Sequence, residues 1–344
     1  MEWFKVRCLA NIRFSWIMLS EDLIVKKENK LYKYKNFFSS LSLKSSYNFI
    51  VDANYRNDMA IKWRYAETKF SLGSENSDKT FYVIRTAYAQ GVYSFILDVM
   101  NHILYAEKMN YIPVIDECNI HNFLVDPSLI GKENVWDRYF EQPAGYTLQD
   151  IKRCKNIIVC DALEAPYREF HWQTYKFSAD SKKWHALFSK NFILRQDVRR
   201  YIAEQREKVF GNKQGRILGV AIRRIIQKLI ESDDPIAEGH PVEPPLDIII
   251  KIVKEEKLRG NFQYVFCTSD DAEAINIMKQ EFMDAVLYVE RERVDAFKEG
   301  NIVRGFANLS NKEKEFLTYI LEMNLLSECD MLITGRTGGV LLLI

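Results

Sequence analysis

The sequence has almost no net charge. Its 48 Lys and Arg residues face 47 Asp and Glu, which leaves +1 at neutral pH. No global field draws the chain to nucleic acid or to an anionic membrane, so any anion site must be local. The six cysteines, Cys8, Cys118, Cys154, Cys160, Cys267 and Cys329, form no C-x-x-C pair and sit mostly in apolar contexts. That spacing fits small core residues in a reduced, cytoplasmic protein rather than a disulfide framework. No apolar run is long enough for an integral membrane segment. The most apolar N-terminal stretch, Cys8 to Leu19, is broken by Arg13 and followed by Glu21 and Asp22, which argues against a signal peptide or anchor. No internal repeat stands out at solenoid periods. No G-x-G-x-x-G follows a strand-like run, which disfavours a dinucleotide-dependent oxidoreductase. No Asp-x-Asp and no His/Cys/Asp cluster with ligand spacing is present. Any chemistry is therefore expected to need neither metal nor cofactor.

What remains is an ordinary globular balance: 47% hydrophobic and 28% charged residues over 344, enough for two domains. Residues 1–79 read as an aromatic and basic extension packed on the first domain. Within it, "KKENKLYKYKNFF" (Lys26 to Phe38) is either an amphipathic surface segment or a peripheral contact with a membrane face. Residues 80–210 and 211–344 each alternate strand-like and helix-like runs, which implies parallel sheets with right-handed crossovers. In the first, "TFYVIRT" from Thr80 and "YIPVID" from Tyr111 read as strands. They flank a helix over Gly91 to Met109, with apolar residues at Phe95, Val99, Ile103 and Ala106. "TLQDIKRCK" looks helical, Asn156 to Ala162 looks like a strand, and residues 192–209 read as one long polar helix. In the second, strands are expected at Ile217–Ile222, Gln263–Thr268, Ala285–Val289 and Met331–Thr334. Helices are expected at Leu246–Leu258, Asp271–Phe282 and Lys312–Leu326. The chain stops in "GGVLLLI", an apolar face that calls for a covering helix beyond it. Two such α/β domains imply a cleft between them, a common place for ligands.

Why should the core strand "ILGVAI" run straight into Arg223 and Arg224? Guanidinium is a permanently charged fork of donors that matches phosphate oxygens in pairs. The alternative is a surface ion pair with Asp233 or Asp234. Asp270 and Asp271 follow the next strand, where Asp271 can cap the following helix. His240, in Gly-His-Pro, either orders its loop or approaches a ligand. Gly335, Thr337, Gly338 and Gly339 follow the last strand, as a plain tight turn or as one that offers N–H groups to phosphate. Taken by itself, Glu322 is a solvated helix position.

Three segments, in order, carry a resemblance. "GVAIRR…GHPVEP", "VFCTSDDAEAINIMKQEF" and "ILEMNLLSECDMLITGRTGG" resemble the three motifs of the GDP-fucose-dependent fucosyltransferases of the α-1,6 and nodulation type. "YAEKMNYIPVID" and "NVWDRYFEQPAGYTLQDI" look like the N-terminal half of bacterial polysaccharide glycosyltransferases of that superfamily. The resemblance spans roughly residues 80 to 344. It implies an α/β, GT-B-like fold of two Rossmann-like doubly wound domains facing across a cleft. It also implies an inverting transfer of fucose from GDP-fucose to a glycan hydroxyl in polysaccharide biosynthesis, at the inner face of the membrane. A noncatalytic member that binds glycan or a partner is the alternative.

The resemblance assigns roles as well. Arg223 would hold the β-phosphate and stabilise the charge that grows there as the sugar departs. Arg224 would sit beside it, on the diphosphate or bracing the loop, and Asp270 and Asp271 near the nucleoside. Glu322 aligns with the acidic residue that accepts from guanine's N–H groups. Asp233, Asp234 and Glu238 are the loop carboxylates from which a general base would come. On the acceptor side stand Gly91, Asn101, His102 and Trp136, the last with Tyr139 and Phe140 as sugar-stacking rings or as core. The chain departs from the pattern at Ala221, where relatives carry an aromatic or histidine that stacks on guanine. It departs again at Ile225-Ile226, where they have Thr-Asp, and at Gly338-Gly339, which replace more polar residues. These positions bear on guanine and fucose recognition.

Overall fold

A computed structural model describes residues 67–85, 92–118, 125–160, 165, 177–222, 244–293 and 310–334. Two four-stranded sheets organise them.

The first sheet holds β1 (Glu67–Phe70), β2 (Glu75–Ile84), β3 (Ile112–Ile115) and β4 (Cys154–Cys160), in the order β1-β4-β2-β3. β2 runs parallel to β3 and β4, whereas β1 caps the edge antiparallel to β4. The sheet thus starts ahead of residue 80, at an edge strand that pairs Glu67 with Cys160 far along the chain. Helix α1 (Val92–Lys108) connects β2 to β3. Its predicted apolar positions Phe95, Val99, Ile103 and Ala106 are all 0–2% exposed. Asn110 ends the helix with φ of 56°, and the Tyr111 N–H closes onto the Ala106 carbonyl at 2.8 Å. Alternation along β2 sends Phe81 and Val83 into one core with Val114, Ile157 and Val159. Tyr82 goes to the other face, against His102 and Tyr105. The expected helix in "TLQDIKRCK" is a single turn, Leu148–Ile151, closed by a reciprocal capping box between Thr147 and Asp150.

The helix expected over 192–209 is α3 (Gln196–Val209), and a further helix that the sequence did not announce, α2 (Phe177–Asn191), precedes it. Then come β5 (Ile217–Ile222), α4 (Leu246–Arg259), β6 (Tyr264–Ser269), α5 (Ala272–Phe282), β7 (Val286–Leu287), α6 (Lys312–Ser327) and β8 (Met331–Thr334). β5 to β8 are all parallel, in the order β7-β6-β5-β8. The chain steps outward from β5 to β6 and β7, then returns to the other side of β5 to form β8. That is the 3-2-1-4 order of a Rossmann-type sheet, with its reversal between β5 and β8.

Both faces of this sheet are covered. Leu218, Val220, Ile222, Val265 and Cys267 pack on Ile249, Ile250 and Val253 of α4 and on Ala274, Ile275 and Met278 of α5. On the opposite face, Phe210 after α3 meets Phe266 edge-on at 5.2 Å. There Gly219 leaves room for a close approach: a Cβ at that position would lie 3.1 Å from the Cys329 side chain and 3.2 Å from Leu332 Cδ1. Burying each large aliphatic side chain stabilises by about 1.5–3 kcal/mol, which explains why the strands read as continuous apolar runs. Of the cysteines, Cys118, Cys154, Cys160 and Cys267 are buried and Cys329 is half-buried, all unbridged.

Candidate functional site

Parallel pairing levels the carboxyl ends of the second sheet. Ile222 lies opposite Ser269, and Ala221 lies opposite Thr334. The next residues in the chain are Arg223 after β5, Asp270 after β6 and Gly335 after β8. The three motif segments therefore leave the sheet along one edge, and two of them flank the strand-order reversal. In open α/β sheets that crevice is where ligands bind, because the diverging crossovers leave it uncovered. Arg223, Arg224, Asp233, Asp234, Glu238, His240, Thr337, Gly338 and Gly339 lie outside the described residues, as does Gly91.

Of the residues that are described, Asp271 is fully buried and caps α5, its Oδ1 accepting from the Glu273 N–H at 3.3 Å. The Asp271 N–H in turn donates to Ser269 Oγ at 3.1 Å. The capping use of Asp271 is thus realised. Asp270, the first residue past β6, is 6% exposed.

Glu322 is not the solvated helix position that periodicity suggested. It is 4% exposed and faces Arg291. Arg291 Nε donates to Glu322 Oε1 at 3.0 Å and Nη2 to Oε2 at 3.4 Å, a two-pronged ion pair. The remaining prongs reach the Ser269 carbonyl at 2.9 Å and Glu315 Oε2 at 3.3 Å. The guanidinium also lies 5.2 Å from the Tyr319 ring centre. One arginine thus ties the carboxyl end of β6 to two carboxylates of α6. Burial works against its charge, but Glu322, Tyr319 and Glu315 outweigh burial and raise its pKa above the ordinary arginine value. Arg293 adds a second tie. Its Nε donates to the same Ser269 carbonyl at 3.2 Å and its Nη2 to the Val289 carbonyl at 2.6 Å. Burial and the neighbouring Arg291 charge lower the Arg293 pKa, while burial raises that of Glu315. Sequence reasoning passed over Arg291 and Arg293. "ERER" after a two-residue strand looks like solvated charge, and only the fold brings α6 against it.

The first sheet has its own buried charge at the same kind of edge. Arg85, the residue after β2, pairs through Nε with Asp116 Oδ2, the residue after β3, at 2.7 Å. Asn134 and Gln142 seal the end of β3. Asn134 Nδ2 donates to the Ile115 carbonyl at 2.8 Å, and Gln142 exchanges hydrogen bonds with the Ile115 main chain at 2.9 and 3.0 Å. The sequence signal for Arg85 was the one that picked out Arg223, a charge directly after a core strand.

The acceptor-side candidates among the described residues are core residues. Trp136 is 1% exposed, stacks near Phe140 at 4.6 Å and donates Nε1–H to the Glu141 carbonyl at 3.0 Å. Asn101 is 1% exposed. His102 has no exposed surface, and its Nδ1 lies 3.0 Å from the Tyr82 hydroxyl. Its Nε2 has no hydrogen-bond partner among the described residues, and burial pushes its pKa down to about 3. An acceptor contact by Trp136 or His102 requires surface that neither has.

No protein-family model matches the chain, and no curated protein matches it. Among solved structures it is similar to fucosyltransferase NodZ from Bradyrhizobium, at 16% identity and a TM-score of 0.44 over 74% of this chain and 88% of that one. The NodZ α-1,6-fucosyltransferase soaked with GDP-fucose gives 16% and 0.43 over the same shares. A mutant of Arabidopsis thaliana FUT1 in complex with GDP gives 12% and 0.41 over 91% of this chain and 76% of that one. Likeness at this level carries no argument about function, which rests on the chain's own motifs and geometry.

Proposed function

We propose that this chain is a metal-independent glycosyltransferase. It moves a sugar from a nucleoside-diphosphate donor to a hydroxyl of a glycan acceptor, with GDP-fucose as the donor that the motif resemblance implies. One observation carries the reading: three motif segments, met in order along the sequence, leave a 3-2-1-4 parallel sheet along one edge, and two of them flank its reversal between β5 and β8.

In this reading Arg223 meets the β-phosphate, and Arg224 and the Thr337–Gly339 turn complete the diphosphate site. A fixed guanidinium there interacts more strongly with the departing diphosphate than with the intact donor, because negative charge accumulates as the glycosidic bond breaks. Asp270 serves the nucleoside, since the end of the second strand is where Rossmann-type sheets present a carboxylate to a ribose. Asp234 or Glu238, in the loop after Arg224, takes the proton from the acceptor hydroxyl. The acceptor belongs to surface-polysaccharide synthesis on the cytoplasmic side of the membrane. Among the described residues no helix is long and apolar enough to cross a membrane.

A thermal-shift screen over GDP, UDP and CMP sugars tests the donor first. At a hundredfold excess over Kd, a bound nucleotide is expected to raise Tm by about 5 °C or more. Arg223→Ala is expected to remove the shift. If none of these sugars moves Tm, the enzymatic reading fails.

A further inference from the structure

We propose that the amino end of the second sheet carries a binding site for a sugar phosphate, in which Lys213 and Lys257 take the phosphate and Asn261 and Asp284 take the hydroxyls. The six-residue β6 separates this end from the edge where the motif segments emerge, a distance of about 20 Å. The inference does not rest on the donor reading.

An open hollow of about 620 Å³ has Lys213, Lys257, Asn261, Gln263, Tyr264 and Asp284 among its lining residues. That size suits a small ligand, and walls of this polarity suit one that is hydroxylated and charged. The frame is fixed from within. Gln263 Oε1 accepts from the Arg216 N–H at 2.7 Å, and its Nε2 donates to the Asn261 carbonyl at 2.9 Å. Gly215, with φ of 128°, makes room for that amide, because a Cβ there would lie 2.6 Å from Gln263 Oε1. Arg216 Nη1 donates to the Gly260 carbonyl at 2.6 Å, and its guanidinium lies 4.4 Å from the ring centre of the buried Phe262.

The rim is different. Other cations of this region have taken carboxylates: Lys254 pairs with Glu281 and Arg259 with Glu256 on α4 itself, and Arg216 pairs with Asp330. Lys213 and Lys257 have no such partner among the described residues, although Asp284 lines the same hollow. Lys213 is held instead over the Tyr264 ring, its Nζ 5.5 Å from the centre. Two non-glycine residues at positive φ, Asn261 at 50° and Met283 at 46°, set the turns that bring Asn261 and Asp284 to the rim. Two ammonium groups without a counter-charge fit a phosphate. A carboxylate beside them repels bare phosphate but accepts from hydroxyls, and an amide both donates and accepts. That combination matches a sugar ring that carries the charge.

Isothermal titration of the full chain with glucose 1-phosphate, inorganic phosphate and glucose tests the proposal. Glucose 1-phosphate is expected to bind about tenfold more tightly than either of the others, because each of those supplies only half of the contacts. Lys213→Ala and Lys257→Ala are each expected to weaken it about fivefold or more. Asp284→Asn is expected to weaken glucose 1-phosphate and to leave inorganic phosphate as it was or tighter. Arg223→Ala, past the far end of β5, is expected to change neither. Equal binding of glucose 1-phosphate and inorganic phosphate overturns the sugar half of the proposal. Loss of binding in Arg223→Ala with none in the lysine variants places the probe at the motif edge and overturns the site. No binding of glucose 1-phosphate at millimolar concentration overturns it as well, and leaves the donor reading untouched.

Discussion

Arg85 and Arg291 are both buried arginines near the carboxyl ends of parallel strands, yet they hold different things together. Arg85 pairs with Asp116 across two adjacent strands whose ladder already sets Ile84 opposite Ile115. The pair follows from register. Arg291 joins the last carbonyl of β6 to two carboxylates of α6, elements that no ladder connects. It fixes where a helix sits on a sheet, at the edge where the motif segments emerge. A charge tied to register is a local feature, whereas one tied to helix placement can shape a site.

The largest expected effect comes from removing these arginines. Arg291→Met leaves Glu315 buried without its ion pair and Glu322 with only Arg293, 3.9 Å away, and is expected to cost about 3–5 kcal/mol in urea unfolding. Arg85→Met leaves Asp116 with the Cys118 N–H, 3.3 Å from its Oδ1, and is expected to cost less, about 1–3 kcal/mol. Equal losses, or a larger one at Arg85, would break the contrast between the two edges.

The first unit has a second buried polar group whose cost depends on pH. The folded pKa of His102 is pushed down to about 3, below its ordinary value of 6.5. The unfolded chain therefore takes up the proton first. The group costs nothing above pH 6.5, and stability falls as pH drops from there toward 3, by about 1.4 kcal/mol per unit. At pH 5 that is about 2 kcal/mol. Comparison of denaturation curves at pH 7.5 and 5 for wild type and His102→Gln should show the wild type losing more by that amount. Parallel behaviour of the two proteins would mean that His102 is protonated in the fold.

Helix caps sharpen the contrast on a smaller scale. Asp271 and Asn311 both cap helices of the second unit, but Asp271 is fully buried beside the site edge and Asn311 is exposed. Asp271→Ala is expected to cost about 1–2 kcal/mol and Asn311→Ala about 0.5–1. The reverse order would show that the Asp271 cap carries no more than an ordinary surface cap.

The legible parts of the sequence share a physical cause. Ile217–Ile222 and Met331–Thr334 were read to the residue, and α4, α5 and α6 to within one or two. In each case an apolar run of definite period meets an abrupt change of character at its end. β7 shrank from the expected Ala285–Val289 to two residues, because strand length depends on the neighbour available for pairing. β1 went unseen for a related reason. "ETKF" carries no strong period and becomes a strand only where β4, some ninety residues away, offers an edge. α2 went unread: its buried positions among the described side chains, Trp184, Leu187 and Asn191, sit among lysines and serines, too sparse a stripe to announce a helix.

What the sequence determined by itself, then, is the alternation of strands and helices, the order of the motif segments and the positions of charges that follow core strands, because these depend on neighbours along the chain. The tertiary structure alone decided that the motif segments share one edge, that Trp136 and His102 belong to the core, and that Glu322 faces an arginine. Burial and ion pairing depend on which distant surface covers a side chain, and a helical period cannot distinguish water on the far side from a guanidinium.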